Sequence, residues 1–246
     1  MNTTLTPSTY RYRSNLLQEY FNKVMQSKEQ GRCADETTAP YISISRDFGA
    51  MANPVASKLA KELTRKCRQK NIPATWNWLN REILEESSKA LDLPPSQIEY
   101  IFRSRKKTMM DEVVAALQTR YYKNDRVIRK TVRQVLCNVC RRGHVIIVGR
   151  GGVAFAAENP DSLHIKLTAP LDWRIRRVSK NYGLTADEAR DYINRIDRER
   201  KGLIDDFLGY KSDISVFDLV FNRATLSEDE IISIIINLAA KKGLIR

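Results

Sequence analysis

Residues 41–63, YISISRDFGAMANPVASKLAKEL, carry the signal from which the architecture follows. Tyr41-Ile42-Ser43-Ile44-Ser45 is a short apolar run of strand type, and Asp47-Phe48-Gly49 ends it with a sharp turn. Val55, Ala56, Leu59, Ala60 and Leu63 then recur at i, i+3 and i+4, which places them on one face of a helix. Asn53-Pro54 sets the expected helix start, with a side chain able to cap and a proline at the first helical position. Strand, tight turn and helix N-terminus in succession aim backbone N–H groups at one point, the layout that holds a phosphate. A Walker-type loop, G-x-x-x-x-G-K-[ST], aligned on this strand and helix starts at Arg46. It puts Met51, Ala52 and Asn53 where the second glycine, the lysine and the magnesium-binding hydroxyl belong. Gly49-Ala50-Met51-Ala52 keeps a single glycine, so the positive charge a phosphate needs must come from Arg46, Lys58 or a distant arginine.

Outward from this stretch, four further strand signals follow in order: Thr75–Leu79, His144–Val148, Ser162–Thr168 and Asp218–Phe221. His144–Val148 is apolar throughout and bounded by Gly143 and Gly149, as expected of a strand buried on both faces. Helical periodicity lies between them, over Arg81–Leu91, from Pro94-Pro95 through Phe102, over Thr108–Leu117, Asp125–Arg142 and Pro170–Tyr182. Thr185 with Glu188 marks a capping box for a helix running to about Phe207, and Ser227 with Glu230 marks another for the last helix. Five strands separated by helices predict an α/β fold, a five-stranded parallel sheet with helices on both faces. Such sheets bind ligands beyond the carboxyl ends of their strands. The turns there carry Arg46-Asp47, Asn80-Arg81, Gly149-Arg150, Thr168-Ala169 and Asn222-Arg223, a convergent cationic set.

The expected organisation is an N-terminal tail with an amphipathic helix over residues 1–39 and a catalytic-type domain over 40–246. Leu16, Leu17, Tyr20, Phe21, Val24 and Met25 form the stripe of that first helix, which must bury itself on the body or on a second copy in a homodimer. Lysine and arginine total 42 against 29 acids, a formal charge of +13. Residues 101–142 hold twelve basic and three acidic side chains, so most of the excess sits in one helical segment. Such a balance suits an anionic partner, nucleotide or nucleic acid, and equally a basic solvated face. Aromatic residues in the basic helical insertion are limited to Tyr100, Phe102, Tyr121 and Tyr122, thin for stacking on single strands. Cysteine is too sparse for a disulfide scaffold: four residues, Cys33, Cys67, Cys137 and Cys140. The C-x-x-C at Cys137 lies within a helical pattern and reads as buried apolar side chains rather than a metal site. No signal peptide and no apolar run of membrane-spanning length appears, which points to a cytoplasmic protein.

The motifs SRDFG at 45–49, NREILEES at 80–87, VIIVGRGG at 145–152, LTAPLDWRIRR at 167–177, DRER at 197–200 and FDLVFN at 217–222 together resemble the cytidylate kinase-like family of P-loop nucleotide kinases. The resemblance covers roughly residues 41–241. It implies a five-stranded parallel sheet, a helical insertion for the nucleoside monophosphate over 80–142 and a lid-like segment over 181–212. It implies ATP-dependent phosphoryl transfer to a nucleoside monophosphate such as CMP or dCMP, or to a related small acceptor, with ATP and Mg2+ as cofactors. Residues 46–53 (Arg46, Asp47, Phe48, Gly49, Ala50, Met51, Ala52, Asn53) would hold the donor phosphates. Asn80, Arg81, Gly149 and Gly151 would line the acceptor, with Arg150 on its phosphate. Asp197 and Arg200 match the lid's D-x-x-R, and Arg174 and Arg177 lie near the lid hinge. No residue is assigned to hold a metal. Each of these also has a plainer account: Arg174 and Arg177 as the wet side of a helix, Asp197 and Arg200 as a surface pair. The alternative function is a degenerate kinase fold that binds a nucleotide or nucleic acid without turnover, in a regulatory role.

Overall fold

The structure, a computed structural model, describes residues 39–80 and 125–245. The stripe over 14–26, the helices expected between 81 and 117, and Arg81 lie outside the described residues. The strands are β1 (Tyr41–Arg46), β2 (Asn77–Leu79), β3 (Val145–Val148), β4 (Ser162–Thr168) and β5 (Leu219–Asn222). The described helices are α1 (Ala52–Gln69), α2 (Asp125–Arg142), α3 (Leu171–Tyr182), α4 (Ala186–Leu208) and α5 (Glu228–Lys241), with short 3-10 turns at Gly152–Glu158 and Ile214–Val216.

All five strands are parallel, in the order β2-β3-β1-β4-β5. Parallel neighbours need crossover connections, and the helices that make them cover both faces. On one face Ile42, Ile44, Ile146, Val148, Leu163, Ile165 and Leu167 meet Val55, Leu59 and Leu63 of α1 and Ile231 and Ile235 of α5. These side chains alternate along each strand with those of the other face, Tyr41, Ser43, Ser45, Ile147 and His164, which the Gly152–Glu158 turn helps to cover. Burying apolar area of this extent, at roughly 25 cal/mol per Å2, is the main stabilising contribution. Each strand, and each helix limit read from the sequence among the described residues, therefore lies within two or three residues of its expected place.

Both capping boxes form. Thr185 Oγ1 accepts from the Glu188 N–H and Ser227 Oγ from the Glu230 N–H, with each glutamate accepting from the N-cap N–H in return. The start of α1 departs from expectation. The helix begins at Ala52, and its N-cap is Met51, in the left-handed region at φ 52° with no side-chain cap. Asn53 lies inside the first turn, where its Oδ1 accepts from Asn80 Nδ2 at 3.3 Å. The reason is the turn: Gly49 at φ 90° bends the chain early enough that helical geometry starts before Asn53 can cap.

Candidate functional site

The site is built at the carboxyl end of β1, between the turns that follow β1 and β3. Gly49 and Met51 both take positive φ around the buried Ala50. Ala50 donates its N–H to the Asp47 carbonyl at 3.2 Å. Left-handed residues alternating with an ordinary one turn successive N–H groups toward a common concavity, and the N-terminus of α1 adds its partial positive charge. Left-handed geometry at a non-glycine such as Met51 costs on the order of 1 kcal/mol and marks a conformation imposed by its surroundings. Ala52 is buried at the start of α1.

Those surroundings are α3 and α4. Arg174, buried on α3, donates from Nε to the Ala169 carbonyl at 3.0 Å and from Nη1 to the Phe48 carbonyl at 3.2 Å. Its Nη1 also pairs with Asp197 Oδ2 of α4 at 2.6 Å, while Asp197 Oδ1 accepts from the Phe48 N–H at 2.6 Å. Both backbone groups of Phe48 are thus held by side chains from two helices far away in sequence. The Phe48 ring packs among Tyr182, Tyr192 and the Arg200 guanidinium, which lies 5.3 Å from its centre. Arg174 and Asp197 therefore face the turn itself rather than open space. Arg177 stacks on Trp173 at 4.6 Å and reaches the Met51 sulfur.

Three arginines converge beside this turn. Arg46 ends β1, and its guanidinium lies so close over Gly149 that an added Cβ there would collide with Nη1. Arg200 donates from Nη1 to the Arg46 carbonyl at 3.1 Å. Arg150 sits in a run of three left-handed residues, Gly149, Arg150 and Gly151, and donates from Nε to the Asn80 carbonyl at 3.4 Å. Gly151 is packed against the Phe207 ring. Burial, and then the charges of Arg200 and Arg150, push the Arg46 guanidinium down to about 9. Burial also lowers Arg200, against the opposing pull of Asp197 and Asp47.

Two cavities open on either side of Arg46, Asp47 and Arg200. One, of about 230 Å3, is lined by Gly149, Arg150 and Lys166 and by Leu203, Ile214 and Phe217. The other, of about 250 Å3, is lined by Gly49, Met51, Asn53, Asn80, Arg177 and Tyr182. The sequence-predicted residues are thereby gathered into one place, except Arg81, which lies outside the described residues. Sequence reasoning missed Lys166, Tyr182 and the loop from Ser212 to Phe217. Lys166 was signalled, since a lysine within the buried strand SLHIKLT has no place in a pure core.

The donor set fits an anion. It does not fit a magnesium ion held by the described side chains. Asp47 already accepts from Thr168 Oγ1 at 2.5 Å and pairs with Lys166 Nζ at 3.2 Å, while Asp197 is taken up by Arg174 and the Phe48 N–H. Asn53 stands where a ligating hydroxyl would be needed and is bonded to Asn80. Among the described residues, no three His, Cys, Asp or Glu side chains cluster as a metal site, and no helix is long and apolar enough to cross a membrane.

Comparison with known proteins agrees with this frame. A solved structure of an uncharacterized protein from Eubacterium ventriosum superposes with a TM-score of 0.56 at 17% identity, covering 82% of this chain and 98% of that one, a likeness of fold. A cytidylate kinase of Methanopyrus kandleri is 35% identical over 102 residues, 38% of this chain and 53% of that protein. A cytidylate kinase of Sulfolobus acidocaldarius is 36% identical over 111 residues, 44% of this chain and 56% of that protein. The chain thus spans about half the length of the curated relatives it matches. The sequence model of the cytidylate kinase-like family matches residues 41–225, the span that holds all five strands and the three converging arginines, and the chain belongs to that family.

Proposed function

We propose that this protein transfers the terminal phosphoryl group of ATP to a nucleoside monophosphate, CMP or dCMP being the first acceptors to test. The observation that carries the reading is the position of Arg46 and Arg200 on the shared wall of two cavities, with Arg150 in the first of them. Phosphoryl transfer needs donor and acceptor in line, with charge on the moving group neutralised as it passes between them. Donor phosphates would lie over the Gly49–Met51 turn, in the cavity that includes Arg177 and Tyr182. The acceptor phosphate would lie in the other cavity against Arg150. Arg46 and Arg200 would then face the group in flight, their planar forks gripping its oxygens while staying charged. Arg174 and Asp197 would act on the turn alone, keeping Phe48 and hence Gly49 in place.

Family members are expected to use Mg2+ with ATP, but the described side chains offer that ion no ligand set. ADP formation measured across a panel of nucleoside monophosphates tests the proposal. Turnover with at least one of them, lost by a hundredfold or more in Arg150→Ala, is expected; absence of turnover with every one would sink it. The second reading, binding without turnover, is favoured by the Asn53–Asn80 bond at the position of the missing hydroxyl. Under that reading ATP binds and no ADP forms. Should nucleic acid be the ligand, its affinity falls steeply with salt.

A further inference from the structure

We infer that this centre takes phosphate groups as free anions, with Arg46, Arg150 and Arg200 supplying the positive charge that a lysine and a metal ion would otherwise bring. The inference rests on the reading of the two cavities as phosphate sites and adds to it the form in which the ligand arrives.

The distribution of charge leads there. Arg46 is pressed over Gly149, and the charges that act on it are those of Arg200 and Arg150, both of its own sign. Like charges gathered in a partly desolvated place raise the energy of the ligand-free state and are relieved when a multiply charged anion enters. Among the described residues, the carboxylates that act on Arg200, Asp47 and Asp197, offset its burial only in part. Asp47 is engaged by Thr168 and Lys166, and Asp197 by Arg174 and the Phe48 N–H. Magnesium demands nearly octahedral oxygen coordination and is usually tied to the protein through one or two carboxylates. The first turn of α1 carries no acidic residue, and freeing Asp47 or Asp197 would unmake contacts that shape the turn. A dication brought in with the ligand would add to three guanidinium charges rather than balance carboxylates. Metal-free di- and triphosphates are thus the better match in charge.

Calorimetric titration of the full chain with ATP and with ADP tests this, run once with EDTA and once with excess MgCl2 at matched ionic strength. The expected result is a Kd in EDTA equal to, or tighter than, that with magnesium. Binding more than threefold tighter with magnesium overturns the inference while leaving the proposed function standing. No binding under either condition overturns both. Arg46→Met is expected to lose at least tenfold in affinity for ATP in EDTA while keeping the wild-type circular dichroism spectrum and a thermal midpoint no lower than wild type. Unchanged affinity in a folded Arg46→Met protein would overturn the assignment of the charge. Should that variant fail to fold, Arg200→Met carries the same expectation, and unchanged affinity in it overturns the assignment equally.

Discussion

The guanidinium of Arg46 occupies the space that any side chain at position 149 would need, its Nη1 lying where the Cβ of an alanine there would fall. Gly149 also holds φ at 73°, a conformation L side chains rarely adopt. Its donated N–H reaches the Ile44 carbonyl at 2.9 Å, so the backbone there cannot shift freely. Glycine at this point therefore serves Arg46 as much as the turn.

Gly149→Ala separates the two roles. The atom in the way is the far end of a flexible side chain, so Arg46 can swing aside, and the backbone strain left behind is about 1–2 kcal/mol. Anion affinity is expected to fall tenfold or more, because Arg46 no longer points into the site. Thermal unfolding and ATP titration on the same protein check the pair of effects. A variant with wild-type affinity would show that Arg46 does not need this seat.

The bracket around Phe48 gives a second expectation. Asp197→Ala leaves Arg174 buried without its carboxylate and Phe48 without an acceptor, which is expected to destabilise by about 2 kcal/mol, reduced from the fully buried case because Asp197 is 26% exposed. Arg174→Met should lose a similar amount. The double variant should lose much less than the sum, since the two share one partner turn. Simple additivity in denaturant unfolding would disprove the coupling.

His164 predicts an acid limit. Its ring lies between Ser43 Oγ at 2.8 Å and Ser162 Oγ at 2.9 Å, and burial pushes it down to about 4. An unfolded histidine titrates near 6.5, so between those values the unfolded chain binds more protons and stability falls as pH falls. The loss approaches about 3 kcal/mol once pH passes below 4. In His164→Gln that contribution is absent, so its stability should decline less between pH 6.5 and 4. Parallel pH profiles for the two proteins would contradict this.

Arg46 predicts the opposite limb. Burial first, and then Arg200 and Arg150, lower its folded value to about 9, well below that of an unfolded arginine, so the unfolded chain holds more protons above pH 9 and this residue's penalty is relieved there. The stability difference between wild type and Arg46→Met should be flat below pH 8. It should then move in favour of wild type by about 1.4 kcal/mol per unit above pH 9. A difference that stays flat to pH 10 would mean that burial and the neighbouring guanidiniums do not lower Arg46 to this extent.

Local signals read well because their causes are local. The apolar run at Tyr41–Ser45, the helical face of Val55, Leu59 and Leu63, and the Thr185 and Ser227 capping boxes depend on neighbours within four residues. Asn53 read poorly because a cap depends on where the turn ahead of it bends, and Gly49 with Met51 bent it sooner. Lys166 could be noticed in the sequence but its partner Asp47 could not, since one lies in β4 and the other in the turn after β1, with no pattern to connect them.

Periodicity, capping and turn chemistry are written in short windows, and they were enough to specify the sheet and the described helices that cover it, while the motifs carried the resemblance to the family and the loop itself showed that a Walker lysine and hydroxyl are missing. Which side chains surround the turn was decided by packing alone. Arg46 meets Gly149, and Arg174 and Asp197 grip Phe48 across separations of 126 and 149 residues. Such contacts exist only once the parallel crossovers stack β3, α3 and α4 around the end of β1. Charge at a site is set by which side chains are left facing it after all others are paired, and that pairing is a property of the packed chain.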